Sequence, residues 1–136
     1  MSEGQEIRIK KNGKWYFGPA EMFRRNIVNV LASNLHKEAD GSYLIRLGTD
    51  VNPVVVEDVP FYASGIVEED GKVKLVFHDL QEMPLDCAKK LTLKGDVPYI
   101  DFRWDADTRL SRGVYWKLSE YFEFKGEEIY IVPPGI

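Results

Sequence analysis

Three glycine-containing dipeptides, Asn12-Gly13, Asp70-Gly71 and Gly95-Asp96, each stand between two short runs rich in β-branched and aromatic residues. Two-residue turns with positive φ match the right-handed twist of the strands they join, and Asn-Gly and Asp-Gly adopt that geometry with the least steric cost. Much of the chain is thereby committed to antiparallel hairpins. The first joins the alternating Ile7 and Ile9 to Trp15–Phe17. The second joins a long run from Val54 to Glu69 to Lys72–His78, with Pro60 expected to bend the strand or mark an edge. The third joins Lys90–Lys94 to Val97–Trp104. Tyr43–Leu47 and Ile129–Val132 read as further short strands, the latter before a Pro-Pro-Gly tail. Gly48–Pro53 reads as a turn, and Asp79–Lys89 as loop or a single helical turn.

Only two stretches carry helical spacing. After the break at Gly18-Pro19, residues Phe23, Ile27, Val30, Leu31 and Leu35 fall on one face, and Asp40-Gly41 is expected to close that helix. In the second stretch Leu110, Val114, Leu118, Tyr121 and Phe122 form the stripe, with Asp105 to Asp107 expected to cap its start and Gly126 to end it. The two stretches align without a gap, Arg24–Leu35 over Ser111–Phe122, so that Arg25 meets Arg112, Ile27 meets Val114 and Leu31 meets Leu118. Any two amphipathic helices share such spacing. Here the flanks agree as well: a strand ending near a tryptophan (Trp15, Trp104) precedes each helix, and a glycine turn with a short strand (Gly41, Gly126) follows. The expected fold class is therefore α+β, a pair of duplicated strand-helix-strand units with a mainly antiparallel sheet. Residues 1–53 are expected to form an N-terminal α+β unit and residues 54–136 a C-terminal β-rich unit with a terminal helix and strand.

Composition sets outer limits on function. A chain of 136 residues with 44% hydrophobic and 29% charged residues has the make-up of a globular domain with a sizeable core. Lys and Arg number 18 against 22 Asp and Glu, a net charge of −4, which argues against nucleic acid as a partner. One cysteine rules out an internal disulfide and a thiolate zinc cluster. No apolar stretch suits a signal peptide or a membrane span, so the expected setting is cytoplasmic and soluble, with no membrane partner.

Catalytic signatures are absent from the sequence. His36 and His78 are the only histidines, no serine sits in a GxSxG elbow, and Cys87, although near Lys89 and Lys90, reads as inert packing. Asp101, Asp105 and Asp107 in DFRWDAD could hold Mg²⁺, but Asp105 and Asp107 also suit a helix start. No glycine-rich phosphate loop is present. Neither catalytic residues, a cofactor nor a metal is expected. The one constellation that joins cations to aromatics is Arg24, Arg25, Arg109 and Arg112 with Trp104, Tyr115 and Trp116. Guanidinium forks match phosphate bidentately, and the rings offer a stacking wall. If the second helical faces meet across the boundary between the units, Arg25 and Arg112 share one cleft. The plainer alternative is a solvated face with arginine stems lying over aromatic rings, or arginines paired with Glu21, Glu57 and Asp58. The expected function is a non-catalytic regulatory module that binds a small anionic or nucleotide-like molecule at the junction of its two units. Its rivals are a protein-interaction module that makes a homodimer or docks a signalling partner through the aromatic helix face, and, last, a Mg²⁺-dependent enzyme.

The segments IRIKKNGKWYF (7–17), MFRRNIVNVLASNL (22–35), VEDVPF (56–61) and VPYIDFRWDADTRLSRGVYWKL (97–118) resemble, in this order, the bacterial domain-of-unknown-function family 1285. The similarity covers nearly the whole chain. It implies a duplicated α+β core whose C-terminal half is similar to pleckstrin-homology folds, a small-ligand site at the junction of the halves and a role in signalling. Many relatives carry a Pro- and Trp-containing N-terminal extension that this sequence is expected to lack.

Overall fold

The structure, a computed structural model, describes residues 6–134. The end of the Pro-Pro-Gly tail, like the first five residues, lies outside the described residues. Over the described residues the fold is α+β and mostly sheet, with two sheets and two α-helices. It divides into two compact units: the first ends at Pro60 and also takes Asp79–Gln81, and the second holds Phe61–His78 and the chain from Glu82 onward.

In the first unit, strands β1 (Ile7–Ile9), β2 (Trp15–Phe17) and β3 (Ala20–Glu21) precede helix α1 (Arg25–Ser33), and β4 (Leu35–Lys37), β5 (Tyr43–Leu47) and β6 (Asp50–Val56) follow it. They form a six-stranded sheet in the order β3-β2-β1-β6-β5-β4. Asn12-Gly13 makes the expected hairpin, with Gly13 at φ 84° and the Gly13 amide donating to the Lys10 carbonyl at 2.9 Å. β6 closes the sheet by pairing parallel to β1, Ile7 opposite Val54 and Ile9 opposite Val56. Ile9, Trp15, Leu35, Ile45 and Val54 are the buried side chains of this sheet.

Three local expectations change in this unit. The helix ends at Ser33, and Asp40-Gly41 turns a hairpin between β4 and β5 instead of closing the helix. The Asp40 carboxylate accepts from the Ser42 hydroxyl at 2.6 Å and the Ser42 amide at 2.9 Å, an Asx turn that holds this carboxyl below its ordinary range. The turn expected over Gly48–Pro53 shrinks to two residues, because Leu47 already pairs with Asp50. The apolar stripe of α1 is also not its buried face: Val28 and Ala32 are fully buried, while Phe23, Ile27 and Val30 are exposed.

The second unit is an eight-stranded sheet built from β7 (Phe61–Glu69), β8 (Lys72–Phe77), β9 (Glu82–Pro84), β10 (Lys89–Lys94), β11 (Val97–Ile100), β12 (Thr108–Leu110), β13 (Phe122–Lys125) and β14 (Glu128–Ile131). Its order is β13-β14-β10-β11-β12-β7-β8-β9, antiparallel except where β12 pairs with β7. Asp70 and Gly71 both have positive φ, 52° and 74°, the two-residue geometry that an Asp-Gly hairpin requires. Helix α2 (Arg112–Leu118) lies against β7 and buries Val114 and Leu118, as the stripe predicts. It gives way at Ser119–Tyr121 to a short 3₁₀ turn and then to β13, so Phe122 belongs to a strand and not to the helix. No helix among the described residues is long and apolar enough to cross a membrane.

Candidate functional site

Strand β12 is only three residues long, yet it positions most of the candidate site. Arg109 lies opposite Tyr62 of β7 on one side and Tyr99 of β11 on the other, so all three share one face of the sheet. Thr108, pointing the other way, is fully buried. Ser111 then turns the chain into α2. Its amide donates to the Ala63 carbonyl at 2.9 Å, and its hydroxyl oxygen accepts from the Val114 amide at 3.2 Å. This N-cap fixes where the helix begins and sets Arg112 as its first residue.

Between α2 and the sheet is a cavity of about 570 Å³, within the range of about 300–1,000 Å³ usual for small-molecule sites. α2 supplies Arg112, Tyr115 and Trp116, the strands beneath supply Tyr62, Arg109 and Leu110, and the tip of the β10–β11 hairpin supplies Asp96, Val97 and Pro98. Every one of these residues belongs to the second unit. Tyr115 is held between Phe122, at 5.7 Å between ring centroids, and Trp116, edge-on at 6.0 Å. Trp116 itself is 62% exposed. Two cationic guanidinium groups against the single carboxylate of Asp96 leave the walls net cationic, although the chain as a whole is acidic.

Four of the seven residues singled out from sequence therefore line one cavity: Arg109, Arg112, Tyr115 and Trp116. Arg24 and Arg25 sit in the first unit, where Arg24 is the residue before α1 and Arg25 its first residue, both exposed. Trp104 is not part of the cavity lining. Its ring stacks on Phe61 at 5.9 Å and 10° between planes, within a cluster of Phe61, Phe77 and Phe102. Tyr62, Asp96, Val97, Pro98 and Leu110 carry no local signal of a site, since strand pairing across distant segments brings them there.

The acids of DFRWDAD are engaged elsewhere. Asp107 is almost fully buried, and its carboxylate accepts from the amides of Phe102, Arg103 and Trp104 at 2.8, 2.9 and 2.8 Å and from the Thr108 hydroxyl at 3.1 Å. Burial pushes this carboxyl up, and the hydrogen bonds oppose that rise only in part. Asp101 accepts from the Ala106 amide at 2.6 Å. These side chains close the loop between β11 and β12. The expected helix cap is corrected to Ser111, which alone caps α2. Among the described residues no three of His, Cys, Asp and Glu are grouped as metal ligands would be.

No family model matches the chain, and no curated protein matches it. Its fold is nevertheless shared with solved structures. A DUF1285 family protein from Shewanella baltica OS155 superposes with a TM-score of 0.72 at 18% identity, over 90% of this chain and 96% of that one. A DUF1285 family protein from Silicibacter pomeroyi DSS-3 gives a TM-score of 0.72 at 16% identity, over 91% of this chain and 73% of that one. The class is thus an α+β protein with a DUF1285-like fold, in agreement with the resemblance read from the sequence.

Proposed function

We propose that this chain is a non-catalytic, cytoplasmic regulatory module of the DUF1285 family that binds a small anionic, nucleotide-like ligand in the cavity under α2. The observation that carries the reading is the convergence of Arg109, Arg112, Tyr115 and Trp116 on one cavity, reached from two different elements. Arginine supplies the bidentate recognition that a phosphate or carboxylate asks for, and the rings supply a stacking surface. A shared origin of the two halves is supported by the helix starts, since Arg25 and Arg112 both open their helices and are also aligned in sequence. The buried positions of the two helices, Val28 and Ala32 against Val114 and Leu118, are one residue out of step in that alignment, so the duplication we infer has diverged in helix rotation. A signalling role and a pleckstrin-homology-like second half rest on the family resemblance.

The test is isothermal titration of the purified chain with nucleoside phosphates, repeated on Arg112→Ala. Saturable binding that Arg112→Ala removes supports the reading. Equal affinity in the variant, with an unchanged fold, refutes it. A second reading, docking of a protein partner or of a second copy, is favoured by Phe23, Ile27 and Val30, exposed at 79%, 46% and 51% on one face at the start of α1. Light scattering separates it: a stable dimer shows twice the mass of one chain.

A further inference from the structure

We infer that the cavity takes a nucleoside monophosphate with an intact ribose, its phosphate on Arg112 and its vicinal diol on Asp96. This rests on the ligand-binding reading above. Asp96 lines the same cavity as Arg112, at the tip of the β10–β11 hairpin, and neither side chain is engaged in an ion pair or hydrogen bond among the described residues. Unpaired opposite charges facing one cavity suit a ligand that is itself two-sided. For a bare anion Asp96 is a repulsive neighbour, whereas for a sugar its two carboxylate oxygens accept from adjacent hydroxyls, as an acidic residue does for ribose in dinucleotide sites. Arg112 matches the phosphate at the other end, and the exposed ring of Trp116 offers the base a stacking partner. The cavity, at about 570 Å³, is of drug-sized volume, which suits one nucleotide. An amino-acid zwitterion would satisfy both charges and leave the rings unused.

Titration calorimetry with adenosine 5′-monophosphate, its 2′-deoxy analogue and inorganic phosphate tests this. The wild-type chain is expected to prefer the ribonucleotide over the deoxy form by about tenfold, the worth of one good charge-assisted hydrogen bond. Asp96→Ala is expected to bring that ratio close to one, because the ribonucleotide loses two hydroxyl bonds to the carboxylate and the deoxy form only the one from its 3′-hydroxyl. Equal binding of the two nucleotides by the wild-type chain, with both weakened in Arg112→Ala, overturns the role of Asp96 and leaves the ligand-binding reading standing. Absence of binding by all three compounds overturns both. A free amino acid binding more tightly than the ribonucleotide overturns the ligand class. The wild-type comparison needs no variant, so a misfolded hairpin mutant does not blunt it.

Discussion

Replacing Asp107 with alanine is expected to be among the most damaging single changes outside the apolar core. Its carboxylate is the acceptor for three consecutive backbone amides, Phe102 to Trp104, and for the hydroxyl of the fully buried Thr108. Each buried donor left without an acceptor costs about 1–3 kcal/mol. The amides are part-buried, so the low end applies, and removing a desolvated carboxylate returns some of the loss. A net destabilisation of about 3 kcal/mol results, which for a domain of this size lowers the melting temperature by about 12 °C. Asp107→Asn keeps one carbonyl oxygen as acceptor and is expected to lose about half as much. The sign of the pH dependence is distinctive. Burial raises the folded-state pKa of Asp107 above its unfolded value, so the stability it contributes is complete below the ordinary carboxylate range and is lost as pH rises through the raised value. Asp107→Asn should remove that slope. Glu128, held below its ordinary range by Lys90 at 2.7 Å, acts in the opposite sense: its contribution is present above the ordinary range and fades as pH falls. Thermal melts by circular dichroism from pH 2.5 to 8 measure both, the Glu128 loss at the acid end of that range. An Asp107→Ala protein that melts within 2–3 °C of wild type, about the effect of a surface change, would refute the claim that this carboxylate holds the loop.

Three further outcomes are expected. Ser111→Ala removes the N-cap of α2 and should cost about 1 kcal/mol, read as a small drop in melting temperature, with Ser111→Asp retaining most of it. Gly71→Ala, at φ 74° with open space around the added carbon, should destabilise by about 1–2 kcal/mol through backbone strain alone, whereas Gly71→Asn should be milder. Trp116→Ala, at an exposed position, should leave the melting temperature nearly unchanged and weaken nucleotide binding by about 1–3 kcal/mol in calorimetry, the worth of a stacked base.

The parts of the fold that were readable from sequence are those whose cause is local. Asn12-Gly13, Asp70-Gly71 and Gly95-Asp96 turn hairpins because their backbone geometry depends on the residues themselves. The Val114–Leu118 stripe was legible because α2 packs on one face. Some short strands were not: Leu35–Lys37, Glu82–Pro84 and Thr108–Leu110 are too short to show a period of two, and pairing with other segments makes them strands. Leu35 looked like the end of a helical stripe because its burial comes from β4, and Phe23, Ile27 and Val30 completed a pattern that solvent, not core, meets. Asp105 to Asp107 looked like a cap because acids suit helix starts, while β12 and Ser111 intervene before α2. The cavity divides in the same way. Arg112, Tyr115 and Trp116 are grouped by helical spacing alone, while Tyr62 and Asp96 arrive through the β10–β11–β12–β7 ladder, whose order no local pattern encodes.

The cavity under α2 as the binding site is tested most directly by amide chemical-shift mapping of the ¹⁵N-labelled chain titrated with adenosine 5′-monophosphate. The expected shifts gather at Tyr62, at Asp96 and Val97, and along residues 109–116, saturate together, and vanish in Arg112→Ala. Shifts that gather instead along Phe23–Val30, or that persist unchanged in Arg112→Ala, would contradict it.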